Sequence, residues 1–289
     1  MDAKPNESAG AARQRKGRRM TVFFCALLGG YALLVMGGCM WQRKLLYFPS
    51  RYTLAEEKQF ATEKGFVPWS NQAGEVIGWK FPAAGVSTGS VLVVHGNGGS
   101  ALNRNYFAMP IHAAAAWDVF VLEYPGYGAR GGAPSKTSWL AAGEEAFGLL
   151  PKDKPVFVVS ESLGTGVAAH LAKLHPHEII GMAMFVPYDS LPSLAQSKMP
   201  WLLPYFFLLD RYQPARWLKD YRGPVTFVLA ERDEIIPPKF GQRLFDSYAG
   251  PKQLQMIRGA AHNEAAEQTP GWWREVFNFW QAHRRKAEE

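Results

Sequence analysis

Cysteine is nearly absent from this chain of 289 residues: there are two, Cys25 and Cys39, and both lie among the first 41 positions. The remainder therefore forms no disulfide and offers neither a thiol nucleophile nor a cysteine-based metal site. His175 and His177 flank Pro176, but no further ligand-type side chain stands at a suitable spacing, so we expect no metal there.

Nucleotide-binding patterns are missing as well. The stretch "HGNGGS" at 95–100 is rich in glycine, but it lacks the Gly-Lys-Ser/Thr ending of a phosphate-binding loop. No Gly-x-Gly-x-x-Gly pattern opens the first strand–helix unit. We therefore expect a protein that works without a cofactor.

Positive charge is scarce outside one short segment. The formal net charge is +7, but residues 1–19 alone hold six cations against two anions, or +4, which leaves +3 for the other 270 residues. The body has no basic stripe interleaved with aromatic residues, so the sequence does not predict nucleic-acid binding.

Residues 20–41, "MTVFFCALLGGYALLVMGGCMW", contain no charged residue. About 20 apolar residues suffice for a helix to cross the hydrocarbon core of a bilayer, and a buried globular helix of this length normally has a polar stripe. Six cations precede the segment, and only Arg43 and Lys44 follow it closely. The positive-inside rule then predicts a basic cytoplasmic tail at 1–19 and export of the rest to the periplasmic or extracellular side.

Two kinds of membrane tether fit this segment. One is an uncleaved signal anchor at 20–41. The other is a cleaved lipoprotein signal, because "LVMGGC" is similar to a lipoprotein box with Cys39 as the lipid-bearing residue, although Met36 stands where leucine is usual. Both alternatives attach the protein to a membrane.

The body, 66–289, follows a tether over 42–65 and alternates short apolar runs with helical patterns. Strands are predicted at 74–81, 90–96, 118–124, 155–160, 179–186, 224–230 and 252–259, and helices at 100–116, 137–150, 164–175, 238–249 and 270–284. Such alternation predicts an α/β fold with a mostly parallel, doubly wound sheet. Residues 187–222 break the rhythm with Pro, Trp, Phe and Leu, which is typical of an inserted cap.

Polar motifs follow the predicted strands. "HGNGGS", "PGYGARGG", "SESLG", "ERDEIIP" and "AAHNE" each begin at or just after the end of a strand. Ligands of doubly wound sheets bind at the carboxyl ends of the strands. Serine, then acid, then histidine is the chain order of α/β-hydrolase active sites.

The sequence thus resembles the α/β-hydrolase superfamily, and within it the membrane-tethered serine esterase and thioesterase branch. The matching motifs are "HGNGG", "YPGYG", "SESLGTG", "ERDEIIP" and "AAHNE", in order over 74–265. The resemblance implies an α/β-hydrolase fold and a serine hydrolase that cleaves a carboxylic ester or thioester through an acyl-enzyme. A tether beside an apolar cap suggests that the acyl group is lipid-like.

The same resemblance assigns roles to individual residues. Ser162 is expected to be the nucleophile, His262 its general base and Asp233 the acid that orients the histidine. The backbone N–H groups of Leu163 and Asn97 are expected to form the oxyanion hole.

Two features of this assignment stay open. The nucleophile motif departs from Gly-x-Ser-x-Gly, because Ser160 stands in place of the first glycine. We expect Ser160 to fill that small space without taking part in the chemistry. Asp189, Glu231 and Glu234 compete with Asp233 for the role of the acid.

Two other functions share this fold. A prolyl-peptidase-like serine peptidase would use the same triad, but it should also have an acidic or aromatic cluster that binds a peptide N-terminus, and the sequence offers none. A non-catalytic scaffold would be expected to have lost at least one of the three triad residues, and all three are present.

Overall fold

The computed structural model describes residues 7–288. Its first helix, α1 (Glu7–Leu46), is continuous through the predicted tail, the predicted span and the following positions. By length and composition, Arg13–Leu46 is apolar enough to cross a membrane. The first six residues of the predicted tail, with Lys4, lie outside the described residues.

The body is built on an eight-stranded sheet. Its strands, together with two short ones that pair with each other outside it, are β1 (Phe48–Pro49), β2 (Val67–Ser70), β3 (Val76–Phe81), β4 (Ser90–Val94), β5 (Gly98–Gly99), β6 (Asp118–Leu122), β7 (Val156–Glu161), β8 (Ile179–Phe185), β9 (Val225–Ala230) and β10 (Lys252–Ile257). The order in the main sheet is β10-β9-β8-β7-β4-β6-β3-β2, and β1 pairs with β5. Six strands, from β10 to β6, run parallel, whereas β3 and β2 are antiparallel to their neighbours. The predicted fold class is confirmed.

Helices cover both faces of the sheet. They are α2 (Leu54–Glu63), α3 (Asn105–Ala114), α4 (Lys136–Gly148), α5 (Gly164–Leu174), α6 (Leu191–Lys198), α7 (Pro204–Phe207), α8 (Pro214–Trp217), α9 (Pro238–Ser247) and α10 (Pro270–Glu288). Residues of α3 and α10 share one buried apolar cluster, and residues of α4, α5 and α9 share the other. Successive β4 residues contribute alternately to the two clusters, as the two-residue period of a strand requires.

The segment 42–65 differs from the tether that we expected. It contains the last turn of α1, the strand β1 and the helix α2, and Tyr47, Glu57 and Ala61 within it are buried. A capping box between Thr53 and Glu56 fixes the start of α2. Apolar and hydrogen-bonding side chains in this segment therefore attach it to the body.

Residues 187–222, the segment predicted to be a cap and called the cap below, lie between β8 and β9 and contain α6, α7 and α8. A 3₁₀ turn at Pro200–Leu202 joins α6 to α7. Several large apolar side chains in this stretch remain exposed, with Trp201 58% and Phe206 72% accessible. An apolar surface of this kind usually marks a site of interaction.

Candidate active site

Ser162 lies in the sharp turn between β7 and α5. Its φ of +51° is in the left-handed region, which costs an ordinary residue roughly 1–2 kcal/mol. The Ser162 N–H donates to the carbonyl oxygen of Phe185 at 2.9 Å, which fixes this turn to β8. Gly164 allows the turn to pack closely, because a Cβ there would lie 2.6 Å from the carbonyl oxygen of His95.

His262 bridges Ser162 and Asp233. Its Nε2 is 3.1 Å from Ser162 Oγ, and its Nδ1 is 2.7 Å from Asp233 Oδ2. The other oxygen of Asp233 accepts hydrogen bonds from the N–H groups of Ile235 and Ile236 at 2.9 and 2.7 Å. These bonds fix the carboxylate, so that it can hold the imidazole with Nε2 directed at the serine.

Two of the competing acids have other partners. Asp189 forms a two-pronged ion pair with Arg243 of α9, with N–O distances of 2.9 and 3.0 Å. The side chain of Glu231 accepts a hydrogen bond from the N–H of Gly259. Among the acids weighed from the sequence, Asp233 is the one that the structure brings into contact with His262.

The "HGNGG" loop lies beside Ser162. A Cβ placed on Gly96 would be 3.2 Å from the Cβ of Ser162, so this loop approaches the serine as closely as a glycine allows. The carbonyl oxygen of Asn97 accepts a bond from Tyr127 Oη at 2.7 Å and another from the N–H of Phe48 at 2.8 Å. In the described part of the chain, the N–H groups of Asn97 and Leu163 donate no hydrogen bond, so they remain available to a ligand.

Ser160 is fully buried in β7, next to Val94 of β4 and Met184 of β8 in the sheet. Its hydroxyl group has no hydrogen-bond partner within residues 7–288. It is also separate from the His262 contact, which involves Ser162.

A buried cluster of ionisable side chains includes His95, the first residue of the "HGNGG" loop. His95 Nδ1 is 2.8 Å from the carbonyl oxygen of Gly96, so that nitrogen donates the bond, and His95 Nε2 is 3.6 Å from a carboxylate oxygen of Glu123. Burial lowers the pKa of His95 well below its usual value, and the nearby Arg104 lowers it further. Burial, together with the neighbouring carboxyl group of Glu57, raises the pKa of Glu123 well above its usual value.

The residue before the serine is part of a second network that the sequence did not indicate. Glu161 accepts hydrogen bonds from Arg104 at 3.1 and 3.2 Å and from Tyr106 Oη at 2.7 Å. These partners follow the "HGNGG" loop in sequence, so the network links that loop to the serine turn. A polar residue at the buried end of a strand was the available signal, but the partners could not be named without the fold.

The sixth predicted site residue lies in a different part of the molecule. Cys39 is on α1, and its Sγ is 3.9 Å from the carbonyl oxygen of Phe207 in the cap. The structure therefore places Cys39 at a contact between α1 and the cap.

Comparisons with known proteins agree with the observed fold. The family model for the alpha/beta hydrolase fold matches residues 89–212. An uncharacterized protein of Mycobacterium tuberculosis strain H37Rv is 30% identical over 230 residues, which cover 77% of this chain and 81% of that protein.

Two further proteins extend the comparison. A lysophosphatidylserine lipase of Macaca fascicularis is 26% identical over 204 residues, or 63% of this chain and 51% of that protein, so the chain spans about half of its length. An esterase of Pyrococcus furiosus has a similar structure, with a TM-score of 0.60, 14% identity and coverage of 83% of this chain and 98% of that one.

Proposed function

The chain belongs to the α/β-hydrolase family, and on that premise we propose that it is a membrane-tethered serine hydrolase that cleaves the ester or thioester of a lipid-like acyl group. The observation that carries this proposal is the continuous line of contacts from Ser162 Oγ through His262 to Asp233. A serine hydroxyl is a weak nucleophile until a base removes its proton, and His262 Nε2 is within reach to do so.

The first half of the reaction forms an acyl-enzyme. Ser162 Oγ attacks the carbonyl carbon as its proton passes to His262 Nε2, and Asp233 stabilises the resulting imidazolium. The N–H groups of Leu163 and Asn97 donate to the oxyanion of the tetrahedral intermediate, and each such donor lowers the barrier by about 3 kcal/mol. His262 then gives the proton to the leaving alcohol or thiol as the carbon–oxygen or carbon–sulfur bond breaks.

The second half releases the acyl group. A water molecule attacks the acyl-enzyme while His262 takes its proton, and a second tetrahedral intermediate occupies the same oxyanion site. Collapse of this intermediate breaks the bond to Ser162 Oγ, which recovers its proton from His262. The products are a carboxylic acid and the free enzyme, and no cofactor takes part.

Three observations favour a lipid-like acyl substrate. The relative from Macaca fascicularis is named as a lipase of lysophosphatidylserine. The helix α1 contains a stretch apolar enough to cross a membrane. The cap exposes Trp201 and Phe206, which suits contact with hydrocarbon. The charge distribution around residues 20–41 supports a catalytic domain on the exported side of the membrane.

A fluorophosphonate probe and a p-nitrophenyl ester test the reaction class. The full chain, purified in detergent, is expected to be labelled on Ser162 and to hydrolyse the ester. Ser162→Ala should abolish both, and Ser160→Ala, the matched control two residues away, should retain both. If labelling were lost in Ser160→Ala and kept in Ser162→Ala, Ser162 would not be the nucleophile. If the unsubstituted chain showed neither labelling nor hydrolysis, a non-catalytic scaffold would be favoured.

A further inference from the structure

An apolar cavity of about 120 Å³ lies between α1 and the cap, outside the triad described above. Its walls include Val35, Gly38 and Leu46 of α1 and Leu191, Ala195 and Phe207 of the cap. Gln42 also faces it, but that amide is already bonded, since it donates to the Cys39 carbonyl and accepts from the Leu209 N–H. The cavity therefore offers an apolar ligand few competing polar groups.

The two walls are held together by specific contacts. Tyr31 Oη donates to the carbonyl oxygen of Trp201 at 2.9 Å. At the other end of the cavity, Arg43 Nε is 3.1 Å from the buried carboxylate of Asp210, which also accepts a hydrogen bond from Tyr47 Oη. The position of α1 against the cap is thus fixed on both sides of the space between them.

One residue that lines the cavity is hydrogen-bonded to a residue of the proposed oxyanion site. The carbonyl oxygen of Leu46, a lining residue, accepts a hydrogen bond from Asn97 Nδ2 at 2.9 Å. Two residues later, the N–H of Phe48 donates to the carbonyl oxygen of Asn97. The wall that α1 contributes is therefore bonded directly to the residue whose own N–H is proposed to bind the oxyanion.

The outer end lies within the uncharged segment. Val35 and Gly38 belong to residues 20–41, and the distance along α1 from Val35 to Leu46 is roughly 16 Å at 1.5 Å per residue. Near this end, Tyr31 of α1 donates to the carbonyl oxygen of Trp201, whose side chain is exposed. When α1 spans a bilayer, hydrocarbon chains lie next to this opening.

We propose that the cavity binds the hydrocarbon chain of a membrane lipid, which enters sideways from the bilayer with its ester directed toward Ser162, so that α1 is one wall of the acyl site as well as an anchor. The inference rests on the proposed function for the direction of the ester. The occupant is a lipid acyl chain because one wall is the helix that fits a bilayer.

Filling the cavity from either wall tests this proposal. In the full chain reconstituted in phosphatidylcholine vesicles, Gly38→Phe and Ala195→Phe should each lower kcat/KM for a hexadecanoyl ester about tenfold relative to a butanoyl ester, because the lost volume excludes several methylene groups. A single cooperative thermal unfolding transition reports that both variants are folded. Gly37→Phe is the matched control, since an added Cβ at Gly37 would have no atom of residues 7–288 within 4 Å and Gly37 does not line the cavity.

A measurement of binding separates this proposal from the catalytic one. The Ser162→Ala chain in the same vesicles is irradiated with palmitic acid that carries a diazirine near its end, and adducts on α6 are located by mass spectrometry. Adducts on α6 should fall in Gly38→Phe and persist in Gly37→Phe. If they do so while the unsubstituted chain hydrolyses no ester, the acyl site stands and the proposed function fails.

Three results would overturn the acyl site. One is an unchanged ratio of long-chain to short-chain hydrolysis in both filling variants. Another is a set of adducts confined to α1 and equal in all the proteins. The third is an acyl group on Cys39 itself, since the cavity would then hold the lipid of the protein and not the substrate.

Discussion

Ser160 lies in β7 and Ser162 in the turn that follows, and their hydroxyl groups differ in hydrogen bonding. Ser162 Oγ has His262 as a partner, while the hydroxyl group of Ser160 is buried and has none within the described residues. The departure from Gly-x-Ser-x-Gly therefore falls on a side chain packed inside the sheet. Its effect should be on stability and not on chemistry.

Ser160→Ala should therefore stabilise the protein. The substitution removes a buried hydroxyl group that lacks a partner and keeps the side chain small, so we expect a gain of about 1 kcal/mol. For a protein of this size that corresponds to roughly 2–4 °C in Tm, measured by differential scanning fluorimetry in detergent. A lower Tm would show that the hydroxyl group has a partner in solution.

Asp233→Asn should lower kcat by about 10⁴-fold, because an amide cannot stabilise the imidazolium and favours the wrong tautomer of His262. The matched control is Asp189→Asn, which removes a carboxylate whose partner Arg243 is half exposed. That pair should contribute at most about 1 kcal/mol to stability and nothing to kcat. Hydrolysis of a p-nitrophenyl ester measures kcat for both variants. A larger loss of kcat in Asp189→Asn than in Asp233→Asn would assign the acid to Asp189.

At the scale of elements, the "HGNGG" loop and the residues that follow it contact buried acidic side chains. Glu123 accepts from the N–H of Ala101 at 3.0 Å, and its carboxyl group lies with that of Glu57 around Gly128, where no Cβ would fit. Burial raises the pKa of both Glu57 and Glu123. The folded protein therefore favours their protonated forms.

Glu123→Gln should become more stable relative to the unsubstituted protein as pH rises. A carboxyl group whose pKa is raised by folding contributes full stability below its unfolded pKa near 4.5, and this contribution is lost as pH rises through the folded pKa. The glutamine does not titrate, so the difference in free energy of unfolding between the two proteins should widen as pH rises above 4.5, by up to about 1.4 kcal/mol per pH unit, and the difference in Tm should widen with it. Glu63→Gln, at an exposed position of α2, controls for the loss of one charge, and a difference that stays constant with pH would contradict the expectation.

The sequence predicted seven strands of the main sheet and the helices α3, α4, α5, α9 and α10, because apolar runs and helical periodicity are local signals, but it did not predict α2 or α6. Each of the seven predicted strands overlaps an observed strand of the main sheet, but β2 was missed. Its sequence, Val67–Ser70, is short and includes Pro68, so no alternating pattern marks it. The pairing of β1 with β5 was also missed, because two-residue strands depend on contacts that are distant in sequence.

The same distinction applies to the site. The sequence singled out Ser162, Asp233 and His262 because each follows a strand in a recognisable motif, and the structure brings the three side chains into contact. The contacts of Arg104 and Tyr106 with Glu161 depend on side chains from separate elements and have no motif. A further contact within 42–65, the expected tether, was also missed. Nothing in the sequence indicated that the carbonyl oxygen of Leu46 would accept a hydrogen bond from Asn97 Nδ2.

For the whole molecule, α1 is packed against the folded body. Tyr31, Arg43 and Tyr47 all contact the cap, and Gly38 lines the cavity beside Leu202. Cleavage before Cys39 would remove Tyr31, Val35 and Gly38 and open one wall of that cavity. The contacts therefore favour the uncleaved signal anchor over the lipoprotein alternative.

The mature protein is accordingly expected to keep its apolar segment. Trypsin cleaves after Arg19 and Arg43, so a membrane extract should yield the peptide Met20–Arg43 with an unmodified Cys39. As a control for recovery of such an apolar peptide, Cys39→Ala should give the corresponding peptide in the same amount, because an anchor does not need the thiol. The lipoprotein form would be established if the mature chain began at an acylated Cys39 and if Cys39→Ala lost membrane attachment. In that form, α1 would contribute to the cavity wall only from residue 39 onward.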